Sequence, residues 1–363
     1  MAVYFGVLAI LTACMIIYNV KKAPEKLKKA TFIISCLVLI IVSGLRYRVG
    51  TDYLSYANLY ETNYANGEAS LTNKPGLYLV GKIASLIYND YSTWFFLMAI
   101  FTIGIYFYVI KKYSINITFS IFLFVFLGAW HGSFNVVKQY AATALILFGF
   151  PFLVKRDFIK WCFSCVLAYT FHESAIIMLP LFFLVSTNFN KWHVAIIALC
   201  AVAIIVGKDL VFEVMTFLKG HAGVDIDSDL NNTSVNALRI AVNCAPIAFY
   251  VLFCKNSDYR AEGMLGEHKK NYMQSDPYFN VLFCLSLINA LFSVATMTSI
   301  YLTRFVLFLD AFNILFIPYL IKGYDKKHRT TLMIIMLALY CVFWFFDVAK
   351  SPDTSIFMWI FEG

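Results

Sequence analysis

Long apolar stretches alternate with short polar or charged connections along most of the chain. A stretch of about 20 apolar residues is long enough to cross a bilayer as an α-helix. Counting the stretches that end at charged or turn-forming residues predicts about twelve such helices. We therefore expect an all-α fold, a polytopic integral membrane bundle that forms one transmembrane domain over residues 1–363. The predicted spans are 2–20, 30–45, 92–110, 115–131, 136–154, 158–172, 174–187, 193–209, 236–255, 278–295, 300–321 and 330–347.

The overall composition agrees with a membrane protein. Of the 363 residues, 61% are hydrophobic and 14% are charged, whereas soluble domains contain about 25% charged residues. A soluble fold of this size has too little interior to bury so many apolar side chains. Nearly all of the nine cysteines lie inside apolar stretches, which is typical of packing residues rather than of disulfides. The composition excludes a soluble enzyme, a secreted disulfide scaffold and a nucleic-acid-binding domain.

Basic residues are concentrated in every second connection between the predicted spans. Since lysine and arginine are retained in cytoplasmic loops, these connections are predicted to be cytoplasmic and both termini external. This topology requires that the apolar stretch 75–89 does not cross, and Lys82 lies in its middle, where a charge costs about 3 kcal/mol. We expect a re-entrant or interfacial helix at 75–89 within a large outer loop, 46–91, and a second large outer loop at 210–235.

Charged residues follow the second predicted span at the depth of the lipid headgroups. Arg46 and Arg48 carry guanidinium groups, which can grip phosphate oxygens through two hydrogen bonds. Gly50 allows a turn, and Asp52 is the first carboxylate after it. The alternative interpretation is structural, with arginines that extend along the interface and an aspartate that caps a helix.

A second pair of candidates, His172 and Glu173, lies in the break between two short predicted helices. A histidine beside a carboxylate can act as a general base or orient a hydroxyl nucleophile. The structural alternative is a polar turn in which Glu173 caps a helix.

Further polar residues mark the outer ends of later spans. These are Lys138 and Gln139 in the fifth span, Arg239 at the start of the ninth, and Tyr301 and Arg304 at the start of the eleventh. Extension of a long side chain to the interface explains any one of these cations. Several cations at one depth favour a site for an anionic headgroup. Asp310 lies deeper than Arg304 and on another face of its helix, and no role is assigned to it.

Four short motifs together resemble the EpsG family of bacterial polysaccharide polymerases, which belong with the Wzy-type O-antigen polymerases. They occur in family order over roughly residues 40–320. Two positions depart from the family pattern: Lys138 stands where arginine is usual, and Asn73-Lys74-Pro75-Gly76 stands where an acidic residue is expected. The motifs are Arg48-x-Gly50-Thr51-Asp52-Tyr53 with Tyr56, Lys138-Gln139-x-Ala141, Ala168-x-x-Phe171-His172-x-Ser174-Ala175, and Arg304 near the start of a late span.

The resemblance implies a reaction between lipid-linked sugars on the periplasmic side of a bacterial cytoplasmic membrane. The donor would be a glycan on undecaprenyl pyrophosphate, and the acceptor would be the terminal sugar of another lipid-linked repeat unit. The expected partners are these glycans and the bilayer, with a chain-length regulator as a further candidate and no nucleic acid. No metal, cofactor or nucleotide sugar is expected.

Breaking a glycosyl–phosphate bond releases a diphosphate, so cations that bind it more strongly as charge develops lower the barrier. The attacking sugar hydroxyl needs a base, for which Asp52 is the first candidate and His172, beside Glu173, the second. Gln139 is predicted to contact substrate. The predicted diphosphate ligands are Arg46, Arg48, Lys138, Arg239 and Arg304, and the predicted sugar-stacking residues are Tyr53, Tyr56, Trp130 and Tyr301.

Two other functions compete with a polymerase. A transporter or flippase of lipid-linked oligosaccharides would need polar residues at the middle of the membrane and repeated halves. A membrane acyltransferase would need a base that a cytoplasmic donor can reach, which an external His172 does not provide. The polar residues gather toward one face of the membrane and no repeat is visible, which favours the polymerase.

Overall fold

The computed structural model of the chain is built from α-helices. It describes residues 1–65, 74–188, 190–207, 236–254, 276–297, 302–322, 324, 326–349 and 351–362. Within these residues the helices are α1 Ala2–Asn19, α2 Glu25–Gly44, α3 Tyr53–Tyr60, α4 Pro75–Ile87, α5 Tyr91–Tyr113, α6 Ile117–Phe126, α7 Ala129–Asn135, α8 Val137–Phe148, α9 Phe150–Val154, α10 Phe158–Tyr169, α11 Leu181–Leu184, α12 Lys191–Val206, α13 Ala237–Phe249, α14 Pro277–Ala295, α15 Thr303–Asp310, α16 Asn313–Lys322, α17 Lys326–Phe343 and α18 Pro352–Ser355. Short π-helical turns at Glu61–Ala65, Tyr250–Cys254 and Trp344–Ala349, and 3₁₀ turns at Glu173–Met178 and Ile360–Glu362, complete the described elements.

The long helices confirm a polytopic helical membrane protein. Six helices in the described residues are long and apolar enough to cross a bilayer, and the number rises to eight if each of two bent helix pairs is one span. The number of twelve stays a prediction. Four of the predicted spans correspond to shorter apolar helices, namely Phe158–Tyr169, Glu173–Leu184, Trp192–Ala203 and Ala237–Phe253.

Two predicted spans are broken rather than continuous. The span 115–131 bends by 40° between α6 and α7, where Gly128 adopts a left-handed conformation with φ of 87°. The span 300–321 bends by 50° between α15 and α16. At this second break the Asn313 side chain donates a hydrogen bond to the Asp310 carboxylate, a local bond that competes with the helix ladder. Apolar residues continue around Gly128, so hydropathy does not reveal the first break, whereas Asp310 and Asn313 are polar residues at the second.

Both chain termini lie at the same end of the bundle. The Met1 ammonium donates to the Ser355 carbonyl at 3.1 Å. The C-terminal segment also pairs with the start of the first large loop, since the Tyr47 amide donates a hydrogen bond to the Met358 carbonyl at 2.8 Å. We call this end the outer end after the predicted topology, and the side of the membrane that it faces stays a prediction.

The first large loop, 46–91, contains α3, the turn Glu61–Ala65 and α4. The predicted helix at 75–89 is present as α4, which begins with a proline at its first turn. Its depth in the membrane stays a prediction. The second large loop, 210–235, lies outside the described residues.

Small residues let neighbouring helices of the bundle approach closely. A Cβ atom at Gly44 would lie 2.9 Å from the Cα atom of Phe96, so α2 packs directly on the backbone of α5. A Cβ atom at Gly149 would lie 2.9 Å from that of Ser164, which brings the end of α8 against α10. Close packing of this kind stabilises helix contacts where water provides no hydrophobic drive.

Candidate functional site

Charged side chains from several separate parts of the chain meet at the outer end of the bundle. The charge of Lys138 interacts with those of Lys74, Glu173, Asp52 and Arg304. The ring of His172 interacts with four of the same groups. We call this set the outer charge cluster, and its members are Asp52, Lys74, Lys138, His172, Glu173 and Arg304.

Lys74 and Glu173 form the ion pair of the cluster. The Lys74 Nζ atom lies 2.7 Å from a Glu173 carboxylate oxygen, and the two side chains are 33% and 19% exposed. Burial raises the pKa of Glu173, but the hydrogen bond and charge of Lys74 outweigh it and hold this pKa at about 2. Glu173 is therefore ionised at neutral pH and neutralises Lys74.

The start of α4 is fixed on the turn that contains His172 and Glu173. The Gly76 amide donates to the Thr170 carbonyl at 3.2 Å. A Cβ atom at Gly76 would lie 2.6 Å from the Phe171 ring, so this close approach requires glycine. Lys74 was not among the predicted site residues. The signal in the sequence was Pro75-Gly76 directly after it, a helix start followed by a residue that permits close contact.

Lys138 and Arg304 are the cations of the cluster that have no ion-pair partner among the described residues. The Lys138 ammonium lies 5.3 Å from the centre of the Tyr56 ring, a cation–π contact. The Gln139 side chain donates to the Arg304 carbonyl at 2.7 Å and links α8 to α15. Both cationic side chains are half-buried. Their hydrogen-bond donors therefore remain available to an anion.

His172 lies in the turn between α10 and Glu173–Met178 and is buried. Its Nδ1 atom accepts the Ser174 amide at 3.3 Å and lies 2.6 Å from the Ser174 hydroxyl. Because an amide N–H can only donate, Nδ1 is an acceptor and the neutral ring carries its proton on Nε2. Burial lowers the pKa of His172 to about 4. At neutral pH this ring is therefore a hydrogen-bond donor through Nε2.

The turn before Asp52 is fixed on α7. Gly50 has a φ of 105°, which a residue with a side chain rarely adopts. A Cβ atom there would lie 2.9 Å from the Phe134 carbonyl oxygen. The Thr51 amide donates to the Asn135 side chain at 3.0 Å. This turn sets the position at which α3 begins.

Asp52 precedes α3 and is half-buried. Its carboxylate does not cap the helix and accepts no hydrogen bond from the residues that the structure describes. The charge acts on Tyr56 and on Lys138. Asp52 is thus a carboxylate with free acceptor sites beside an unpaired cation.

Arg46 lies apart from the cluster, inside the protein, with 2% of its surface exposed. Its guanidinium donates to the carbonyls of Val49 at 3.3 Å and Phe134 at 3.2 Å, and to that of Ser43. It also lies 4.7 Å from the centre of the Phe95 ring. Burial lowers the pKa of Arg46 to about 10, which leaves it charged at neutral pH. Its donors are occupied, so Arg46 holds the loop to the bundle.

The neighbouring predicted residues have varied surroundings. Arg48 is exposed, and its guanidinium lies 5.2 Å from the centre of the Tyr47 ring. Tyr53 is buried and stacks on Phe95 with 4.6 Å between ring centres. Burial raises the pKa of the Tyr53 phenol. Trp130 is also fully buried. Tyr53 and Trp130 therefore offer no free ring face to a sugar.

Arg239 is bound to another helix end. Its guanidinium donates to one Asp347 carboxylate oxygen at 2.7 and 3.2 Å. The groups whose charges act on it are Asp347, Tyr140 and Asp310, none of which belongs to the outer charge cluster. Tyr301 lies outside the described residues.

The cluster suits an anion better than a metal ion. Three cations stand against two carboxylates, and two of these cations form no ion pair with the part of the chain that the structure describes. Within the residues that the structure covers, no three histidine, cysteine, aspartate or glutamate side chains gather at metal-binding distance. Donors that are fixed before an anion arrives stabilise negative charge that develops during a reaction.

The sequence model of one family matches almost the whole chain. This model, described as the EpsG family, covers residues 29–361. Comparison with curated proteins and with solved structures gave no significant match. The family match confirms the resemblance carried by the four motifs, and the chain belongs to the EpsG family.

Proposed function

We propose that this chain is a membrane glycosyltransferase that polymerises undecaprenyl-pyrophosphate-linked repeat units at the periplasmic face of the bacterial cytoplasmic membrane. EpsG proteins are associated with polysaccharide polymerisation, which supports the general class of reaction. The observation that carries the proposal is that Lys138 and Arg304, which form no ion pair with any described residue, lie close enough to Asp52 for the charge of Lys138 to interact with both.

The cations would bind the diphosphate of the donor lipid. As the bond between the anomeric carbon and the diphosphate oxygen breaks, negative charge moves onto the diphosphate, and Lys138 and Arg304 stabilise it. Arg48, exposed beside this region, would approach from solvent. Arg46 and Arg239 are left out of this set because their donors are occupied by carbonyls and by Asp347.

The proton of the acceptor would pass to Asp52. The acceptor hydroxyl oxygen forms the new bond to the anomeric carbon, the bond to the diphosphate breaks, and the hydroxyl proton moves to the carboxylate. His172, whose Nε2 carries a proton, would instead donate a hydrogen bond to an anionic oxygen. This arrangement keeps Asp52 ahead of His172 as the candidate base.

A transporter of the same lipid-linked glycans is the second candidate. It is favoured by the broken helix pair α15–α16, because transporters build substrate and ion sites from discontinuous helices near the membrane midplane. The two functions can be distinguished by whether a longer glycan is formed. A polymerase forms a new glycosidic bond, and a transporter does not.

The test is incubation of the purified protein with lipid-linked repeat units and no nucleotide sugar. We expect a ladder of longer lipid-linked glycans on a gel. If the substrate stays at unit length while the same preparation moves it across proteoliposome membranes, the chain is a transporter and the polymerase proposal fails.

A further inference from the structure

The break between α15 and α16 places a carboxylate deep in the bundle. Asp310 ends α15, six residues after Arg304, which is roughly 9 Å further along the helix axis from the outer charge cluster. Asn313 donates to the Asp310 carboxylate at 3.2 Å. The Ser286 hydroxyl of α14 donates in turn to the side-chain amide oxygen of Asn313 at 2.8 Å. Asp310 is therefore held in a chain of polar groups from three helices.

No described cation forms an ion pair with this carboxylate. Arg239 is the cation whose charge acts on Asp310, but its donors bind Asp347. A carboxylate removed from water is costly unless a cation or a proton compensates it. Asp310 is half-buried, and the described residues give its carboxylate an amide hydrogen bond and no ion pair.

Two further buried polar side chains have no hydrogen-bond partner among the described residues. Asn289 lies one turn after Ser286 on the same face of α14, is fully buried, and neither of its amide atoms bonds to a described residue. The Tyr106 hydroxyl is likewise buried and without a partner among the described residues. The Asp310 charge acts on Tyr106 and Tyr140. Buried polar atoms of this kind are normally hydrogen-bonded, so their free oxygens can accept a bound ligand.

We propose that Asp310, Asn289 and the neighbouring hydroxyl and amide oxygens bind a monovalent metal cation, for which Na⁺ is the probe, at the break between α15 and α16. Oxygen donors prefer hard cations. One carboxylate and several neutral oxygens balance a single positive charge, which minimises net charge in a low-dielectric interior. The negative end of the α15 dipole also points at the break, as half-helix ends do in ion-coupled membrane proteins. The cation site does not depend on the proposed enzymatic function.

The test measures the melting temperature of the purified full-length protein in detergent. NaCl is titrated while choline chloride keeps the ionic strength constant. We expect a saturable rise of a few degrees with Na⁺. Asp310→Asn removes this rise, whereas the matched control Asp157→Asn, at an exposed ion pair with Lys160, retains it.

A second variant covers the case in which Asp310→Asn does not fold. Asn289→Ala keeps the carboxylate and should shift the half-maximal Na⁺ concentration upward, which equilibrium binding of radiolabelled Na⁺ measures directly. An equal response to choline, or unchanged Na⁺ binding in both variants, would overturn the site. Stabilisation by lower pH without any Na⁺ response would also overturn it, because Asp310 would then carry a proton.

Discussion

The cations at the outer end of the bundle fall into two groups that look alike in the sequence. Arg46 donates to three carbonyls, and Arg239 donates two hydrogen bonds to the Asp347 carboxylate. Lys138 and Arg304 have no carboxylate partner among the described residues. The comparison teaches that a position near the headgroups does not decide the role of a cation. The occupancy of its donors does.

The two groups differ because of what lies opposite them. Arg46 faces the end of α7, whose last carbonyls lack helical partners, so its guanidinium completes them. Lys138 begins α8 and faces a tyrosine ring, which attracts the ammonium without occupying its hydrogen-bond donors. The first arrangement stabilises the fold, and the second leaves room for an anion.

The largest expected effect is a loss of polymerisation rate when Lys138 or Arg304 is replaced. Arg304→Ala and Lys138→Ala should each lower the polymerisation rate by about 10²–10³, the usual loss when one preorganised contact to developing charge is removed. Lys138→Arg is the matched control and should keep most of the activity, because it retains the charge. Initial rates of ladder formation measure the effect. Wild-type rates in both alanine variants would contradict the role of this group.

Substitutions in the other group, Arg46 and Arg239, should lower the free energy of unfolding rather than the rate. Arg46→Met leaves the Val49 and Phe134 carbonyls without their donor, so we expect a loss of about 3 kcal/mol in the free energy of unfolding. The exposed Arg48→Ala is the control and should change it by less than about 0.5 kcal/mol. Thermal melting in detergent measures both. Equal melting temperatures for the two variants would show that Arg46 is not structural.

A smaller effect concerns the contact that brings Lys74 into the cluster. Gly76→Ala places a methyl group against the Phe171 ring, and overpacking of this kind costs about 1–3 kcal/mol. The contact between α4 and the turn should loosen, with a partial loss of activity. Gly104→Ala, where a Cβ atom has no neighbour within 4 Å, is the control. If both variants have the same melting temperature and activity, the contact of Gly76 with the Phe171 ring does not hold α4 in place.

The smallest effect is a pH dependence from His172. Its pKa is about 4 in the folded protein, below its ordinary value of 6.5, so between these values the unfolded state binds more protons. The contribution of the neutral His172 ring to the free energy of unfolding is fully present above pH 6.5. It is lost as the pH drops toward 4, by at most about 1.4 kcal/mol per pH unit. His172→Asn should remove this part of the slope. Melting curves over this pH range test it, and an unchanged slope would exclude the buried neutral ring.

The sequence predicts much of the fold because the signals are local. Apolar stretches and charged connections mark the helices, and the structure confirms a helical membrane bundle. The first broken span was missed because apolar residues run through the break at Gly128, and the second was missed although Asp310 and Asn313 are polar. At Asp310 the cause is a bond to a single asparagine side chain.

Which residues belong to the candidate site depends on contacts between residues that are far apart in the sequence. Asp52, Lys138, His172, Glu173 and Arg304 were all predicted as site residues, and the structure brings them together. Lys74 was missed because it reaches Glu173 only when α4 docks on the turn at Thr170. Conversely, the burial of Arg46 depends on a carbonyl 88 residues away, which no local pattern reveals.

The central claim is that unpaired cations, and not simply outer cations, carry out the reaction. It is tested by one gel assay on purified protein with lipid-linked repeat units, comparing wild type, Arg304→Ala and the double variant Arg239→Ala/Asp347→Asn. The double variant removes an outer arginine together with the charge of its partner, so Asp347 is not left as a carboxylate without its cation. We predict a ladder from wild type and from the double variant, and unit-length glycan from Arg304→Ala. A full ladder from Arg304→Ala, or equal loss in both variants, would contradict the claim.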